Sequence, residues 1–284
     1  MTEKIITNQA ADPMAPVPMP EQFPAEERFA VLPNTRLWYS DTGGDGEPVV
    51  FLHPAASGNA LIWGYQQPVF ARAGYRVICY ARRGYYKSDP PPEDNPGIAS
   101  EDLHDLIGFL NLEKVHIVSS AAGGSVAADY ALSHADRLLS LVISNNYAGV
   151  QEGYIREAAE AIKPEQWNDL PRWFREIGPS YLAANPEGVK RWIALADQSS
   201  ARKGIVQKSA HVISAKKLEK IKVPTLLFTG TADSTSPPSV MRMVAKHIHG
   251  SELVIVAESG HSLYWEQPEI FNHTVLDFLA RHGH

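Results

Sequence analysis

The stretch VHIVSSAAGGSVAADYAL, residues 115–132, contains a strand, a tight turn and a helix in direct succession. The letters VHIV favour a β-strand, residues 119–124 are all small, and the run from Ser125 onward is good helix-forming sequence. A strand-to-helix turn made of small residues is the way a nucleophile is presented at the top of an α/β sheet. The turn therefore predicts a catalytic position, and the register of the turn decides which residue occupies it.

The register places an alanine at that position. A G-x-S-x-G turn needs small residues two positions before and two after the nucleophile, because the backbones touch there. With Gly123 as the second small residue, Ser119 is the first and Ala121 stands at the nucleophile position. A register centred on Ser120 would put Val118 where a small residue is required, so a methyl group stands where a hydroxyl is expected.

Strands and helices alternate on both sides of this stretch. Eight short apolar runs predict strands, and most are near-continuous, as in strands buried on both faces. They are RFAVL, RLWYS, PVVFLH, YRVICY, VHIVSS, LLSLVIS, TLLFTG and ELVIVA. Helical segments lie between most of them, such as residues 60–73, 100–110 and 238–247. The alternation predicts an α/β fold with a mostly parallel eight-stranded sheet flanked by helices.

Three regions are predicted along the chain. Residues 1–27 form a Pro-rich arm, expected to be extended or disordered and without a strand or helix. Residues 28–146 and 223–284 carry the strand and helix alternation of the core. Residues 147–222 read as helices only, with three of the six tryptophans, and predict a helical cap at the carboxyl edge of the sheet.

Composition disfavours several classes of partner. A net charge of -6 without a long basic run gives no footprint for nucleic acid or an anionic membrane. The start has no signal-peptide core and no run of eighteen apolar residues occurs, so a cytoplasmic protein is expected. Neither H-E-x-x-H, G-x-G-x-x-G nor a P-loop is found, so no metal or cofactor is implied. The expected partner is a small-molecule substrate, and a homodimer is one option.

Three other predicted strand ends carry groups of chemical interest. The loop that follows the run PVVFLH, which ends at His53, can supply a backbone N–H to an oxyanion. Asp233 follows the strand TLLFTG, and His261 follows ELVIVA. Each of these residues alone is weak evidence for a catalytic site. The chain order of the nucleophile position, the acid and the base, however, agrees with the order found in one known class of catalytic triads.

Taken together, these segments resemble the α/β-hydrolase superfamily from about residue 28 to the end. FLHPAASG resembles its oxyanion loop with Pro54 in place of glycine, and YARRGYYKSD resembles its segment after the fourth strand, from which Tyr80 and Tyr86 depart. YALSHADRLLSLVIS, GTADSTSPP and ESGHSLYWEQPEIFNHTVLDFL match in order and spacing. The resemblance implies an α/β-hydrolase fold with a helical cap, and no cofactor.

The resemblance also implies roles for individual residues. Asp233 would be the triad acid, His261 the general base and residue 121 the nucleophile, while Ala55 and Ala122 would give the N–H groups of the oxyanion hole. Candidate substrate contacts are Ser120, Trp63, Tyr147, Trp173, Ser262 and Trp265. The family chemistry is acyl transfer, and the relatives suggested are esterases, enol-lactonases and carbon–carbon bond hydrolases. An ester, lactone or amide bond is favoured, because Ser262 stands where the last group often has tryptophan.

Three hypotheses account for Ala121. The first, which we favour, is that a native serine was deliberately replaced, because the acid, the base and the loop are all retained. The second is an enzyme that uses His261 and Asp233 without a covalent nucleophile, to activate water or to abstract a proton as cofactor-free oxygenases do. The third is a non-catalytic ligand-binding protein on a hydrolase scaffold.

Overall fold

The computed structural model describes residues 1–8, 14–55, 60–199 and 206–283. The strands in these ranges are β1 (Thr2–Ile6), β2 (Glu26–Leu32), β3 (Thr35–Asp41), β4 (Pro48–Leu52), β5 (Arg76–Tyr80), β6 (Val115–Ser120), β7 (Leu138–Ser144), β8 (Thr225–Gly230) and β9 (Glu252–Val256). They form one sheet in the order β1-β9-β8-β7-β6-β4-β5-β3-β2. Among these described strands, β3 pairs antiparallel with β2 and β5, and the other pairs are parallel. The predicted mostly parallel α/β sheet is confirmed.

The number of strands and the structure of the arm differ from the prediction. The sheet has nine strands instead of eight, because Thr2–Ile6 lies parallel to β9 at the sheet edge, from Thr2 opposite Glu252 to Ile6 opposite Val256. A short, mostly exposed edge strand has no apolar alternation to reveal it, and its stability comes from backbone pairing with a strand far along the chain. Of the remaining arm, residues 9–13 lie outside the described ranges.

Helices cover both faces of the sheet. The helices are α1 (Gln67–Arg72), α2 (Ala99–Phe109), α3 (Ala122–Ser133), α4 (Tyr154–Ala161), α5 (Arg172–Glu176), α6 (Pro179–Ala184), α7 (Pro186–Ser199), α8 (Ala215–Leu218), α9 (Pro238–Ala245), α10 (Leu263–Glu266) and α11 (Pro268–Ala280), with 3-10 turns at Ala60–Tyr65, Ala135–Arg137 and Trp167–Asp169. Alternate residues of β4 enter different cores: Val50 and Leu52 pack on one side, Val49 and Phe51 on the other. Strands buried on both faces explain the continuous apolar runs of the sequence.

Helices α4 to α8 lie between β7 and β8 in the chain, and the described part of this segment contains no strand. The end of this segment, where the chain leads back to the core, is hydrogen-bonded to two buried carboxylates. Asp129 accepts hydrogen bonds from the backbone N–H groups of Ala210 and His211, at 2.8 and 3.0 Å, and Asp102 accepts one from the Gln207 amide at 2.7 Å. None of the described helices combines the length and the apolar character needed to cross a membrane.

Candidate active site

The turn between β6 and α3 is strained at one residue. Ala121 has φ 46° and ψ −124°, a conformation that residues with a side chain rarely adopt. Its N–H donates to the Ser144 carbonyl of β7 at 2.9 Å, and its carbonyl accepts from the Gly124 N–H at 2.8 Å. Backbone in such a region costs roughly 1–3 kcal/mol and persists where the surrounding structure imposes it, typically at functional sites.

The glycines after Ala121 are required by close packing. A Cβ atom on Gly123 would overlap the Leu52 carbonyl oxygen of β4, and one on Gly124 would lie 2.7 Å from the Cβ of Asn146. The start of α3 therefore sits directly against the carboxyl ends of the neighbouring strands. This contact is the steric reason for the small residues that defined the register in the sequence.

Gly123→Ala is expected to destabilise the protein by about 3 kcal/mol, because the new methyl group meets backbone that cannot move aside. Gly108→Ala in α2 is the matched control, since nothing lies within 4 Å of a Cβ there. That exposed helical substitution should stabilise by about 0.5–1 kcal/mol. Urea unfolding of both variants measures the two effects, and equal midpoints would contradict the packing argument.

Asp233 and His261 are in contact at the carboxyl ends of β8 and β9. The Nδ1 atom of His261 lies 3.0 Å from both carboxylate oxygens of Asp233, and both residues are buried. Asp233 also accepts hydrogen bonds from the backbone N–H groups of Thr235 and Ser236 at 2.8 and 2.9 Å. These donors fix the carboxylate, so the imidazole is held by Nδ1 and its Nε2 is left for proton transfer.

Asn145 is a further residue of this site that the sequence reasoning missed. Its side-chain amide donates to Asp233 at 3.0 Å and to the Gly260 carbonyl at 3.1 Å, beside His261. Asn145 follows β7 directly and has a positive φ of 54°. A polar residue just past a buried strand was the available signal, but nothing local shows that its partners lie more than 80 residues away.

The electrostatics of the Asp233–His261 pair favour the carboxylate form of Asp233 and the imidazolium form of His261. Burial alone would raise the pKa of Asp233, but the His261 charge and the hydrogen bonds from His261, Asn145 and Ser236 outweigh it and lower this pKa. Burial alone would lower the pKa of His261. The charge and hydrogen bond of Asp233, with the charges of Glu176 and Glu266, raise it instead to about 9.

The loop after β4 contains a buried histidine whose two ring nitrogens both contact backbone groups of the protein. His53 Nδ1 lies 2.7 Å from the Pro54 carbonyl, and its Nε2 accepts the Arg82 backbone N–H at 3.1 Å. Burial, together with the Arg82 charge, lowers the pKa of His53 well below its usual value, so the ring is neutral. Ala55 is exposed at the start of this loop, whose residues 56–59 lie outside the described ranges.

Ala122, the second predicted oxyanion donor, is the first residue of α3. The N–H of a first helical residue has no acceptor within its own helix, so it is available to a ligand. The N-terminus of α3 also carries the positive end of the helix dipole. The role of Ala122 and Ala55 as a pair of donors stays a prediction.

The six predicted substrate contacts lie in different environments. Trp63 and Trp265 are each 1% exposed and pack against Phe51 and Tyr65, which leaves little ring surface for a substrate. Trp173 is partly exposed and lies beside a cavity of about 320 Å³ lined by Leu182, Pro186, Val189 and Ile193. Tyr147 is buried, and its hydroxyl accepts a hydrogen bond from Arg156 at 2.8 Å. The hydroxyls of Ser120 and Ser262 are buried and make no hydrogen bond within the described residues.

Residues 49–274 match the model of the Alpha/beta hydrolase family, and the chain belongs to that family. It is 30% identical over 266 residues to a 2-hydroxy-6-oxononadienedioate/2-hydroxy-6-oxononatrienedioate hydrolase of Paraburkholderia xenovorans strain LB400, covering 86% of this chain and 91% of that protein. The fold is similar to a thermophilic esterase from Thermogutta terrifontis, with a TM-score of 0.73, 24% identity and coverage of 91% and 100%. It is also similar to the enol-lactonase from Burkholderia xenovorans LB400, with a TM-score of 0.69, 20% identity and coverage of 89% and 100%.

Proposed function

We propose that this chain is a serine-type hydrolase in which Ala121 replaces the nucleophilic serine. The observation that carries the proposal is the strained backbone of Ala121 at the carboxyl end of β6, on the same edge of the sheet as the buried Asp233–His261 pair. A methyl group gains nothing from this conformation, whereas a hydroxyl at the same Cβ would be presented at the strand end. Restoring serine at position 121 and following hydrolysis is the test.

With serine at position 121, the pair would act as base and acid in turn. The Ser Oγ attacks the substrate carbonyl carbon while His261 Nε2 takes its proton, and Asp233 stabilises the resulting imidazolium. The N–H groups of Ala55 and Ala122 would hold the oxyanion. Collapse expels the leaving group, which takes the proton from His261, and water then hydrolyses the acyl-enzyme by the same steps. With alanine the first bond cannot form.

The proposed substrate is an ester, lactone or amide of a small, partly aromatic or apolar molecule, enclosed by the cap of residues 147–222 over the core of residues 28–146 and 223–284. Glu176 on α5 supports this class, because the charge of its ionised form acts on both His261 and Asp233, although partial burial raises the pKa of this carboxyl. In its ionised form, Glu176 adds negative potential near His261 and Asp233, which disfavours a dianionic substrate.

The second candidate is carbon–carbon bond hydrolysis of a dienedioate, the substrate in the name of the relative with 30% identity. Because that similarity covers most of both chains, a dienedioate is included among the substrates to be assayed. A dienedioate that reacts faster than any neutral ester with the serine variant would favour this candidate over the first.

The pH dependence of the serine variant should follow His261. Only the neutral imidazole accepts the serine proton, and the pKa of His261 is raised to about 9, so kcat/KM for a neutral aryl ester should rise with pH until about 9. Glu176→Gln removes one charge that raises this pKa and should move the rising limb to lower pH. The matched control is Glu157→Gln on the exposed surface of α4. An unmoved limb in the Glu176 variant would contradict the electrostatic argument.

A further inference from the structure

The carboxylate of Glu266 lies buried behind the histidine loop. It is 3% exposed, at the end of α10, and accepts three backbone hydrogen bonds. Its Oε2 atom accepts from the N–H of Gly260 at 2.8 Å and of Gly178 at 3.1 Å, and its Oε1 accepts from the N–H of Ser262 at 3.1 Å. Burial raises the pKa of Glu266 to about 7, against these three donors, which lower it.

Two of the three donors flank the catalytic histidine directly. Gly260 and Ser262 are the residues before and after His261, so one carboxylate holds the backbone on both sides of the imidazole. The Gly260 carbonyl is held as well, by the Asn145 amide. Glu266 therefore hydrogen-bonds the backbone on both sides of the residue whose ring contacts Asp233.

The third donor belongs to the cap. Gly178 immediately precedes α6, and its backbone packs against Gly260 with no room for a side chain. A Cβ on Gly260 would overlap the Gly178 nitrogen, and a Cβ on Gly178 would lie 2.8 Å from both the Gly260 nitrogen and Glu266 Oε2. The cap and the histidine loop thus meet at one carboxylate.

We propose that Glu266 is a positioning residue that couples the seating of the cap at Gly178 to the orientation of His261. Each of these hydrogen bonds satisfies a buried N–H group, so losing the carboxylate oxygen leaves that N–H without a partner, which is costly. Displacement of the cap at Gly178 would loosen the same carboxylate that fixes Gly260 and Ser262. The proposal rests on the proposed function only for its catalytic consequence.

The first test is Glu266→Gln in the chain with Ala121. Glutamine has one acceptor oxygen, and its NH₂ group cannot accept from an N–H, so at least one of the three bonds is lost. Hydrogen exchange of the Gly178, Gly260 and Ser262 amides should rise about tenfold or more, with little change in the central strands. The His261 Nδ1–H proton resonance should shift. Glu269→Gln, exposed at the start of α11, is the matched control and should change neither.

The second variant, Gly178→Ala, leaves Glu266 intact and pushes the cap away from it. It should shift the His261 resonance and expose the Gly260 and Ser262 amides. If Glu266→Gln fails to fold, Gly178→Ala alone tests the coupling proposal. An unchanged His261 resonance in Gly178→Ala, with those amides still protected, would overturn the proposal.

Activity gives a separate readout in the serine variant. Adding Glu266→Gln there should lower kcat about 100-fold with a smaller change in KM, as expected when a misplaced base slows the chemical step. The exchange and resonance measurements need no turnover. A serine variant that hydrolyses nothing would therefore count against the proposed function. The coupling proposal would still be tested by the hydrogen-exchange and resonance measurements.

Discussion

Ala121→Ser is expected to raise kcat for an aryl ester or lactone by about 10⁶-fold over the chain as it stands, because loss of an activated serine in a comparable triad costs about that much. The backbone at position 121 already has the strained conformation, and His261 already contacts Asp233 at 3.0 Å. Initial rates of product release for both chains, over a panel of aryl esters, lactones, amides and a dienedioate, measure the difference.

Two controls make the result specific. Ala161→Ser is the same chemical change on the exposed surface of α4 and should leave the rate at the background level. In the serine variant, mass spectrometry of a rapidly quenched reaction should find the acyl group on residue 121. Equal turnover by the chain with Ala121 and by its serine variant would instead support a nucleophile-free enzyme, and tight ligand binding without turnover in either would support a binding protein.

Asp233→Asn in the serine variant should lower kcat by about 10⁴-fold with little change in KM. The asparagine side chain is nearly isosteric with Asp233, but it cannot stabilise an imidazolium, and its NH₂ group would favour the wrong tautomer of His261. The pKa of His261 should fall at the same time, because the charge of Asp233 raises it. Steady-state kinetics and a histidine titration by NMR measure the two effects.

The control for Asp233→Asn is Asp169→Asn in the cap, which lies in the 3-10 turn Trp167–Asp169 and is exposed. It should leave kcat within about twofold, as expected for a surface substitution away from the site. If Asp233→Asn retained most of the activity, His261 would be oriented by another group, and the assignment of the acid would be lost.

Much of the architecture could be predicted because its signals are local. Apolar runs of strand length, helices between them and the small residues around Ala121 led to the α/β class and to the position of the turn. The edge strand Thr2–Ile6 could not be predicted in this way. Of its two apolar residues, Ile5 is exposed and Ile6 is partly buried, so no apolar pattern marks the strand. Its partner strand begins far along the chain, at Glu252.

The sequence by itself determined the fold class and the identity of the residue at the turn, since these depend on local patterns. The candidate acid and base followed from chain order and from the family resemblance of the surrounding segments. Only the tertiary structure decided which polar groups act together. Asn145 meets Asp233, and Glu266 meets both Gly178 and the histidine loop; the Asn145–Asp233 and Gly178–Glu266 contacts each span 88 residues of chain. Such contacts exist because parallel strands end at one edge of the sheet, which brings distant loops together, and no local pattern specifies their partners.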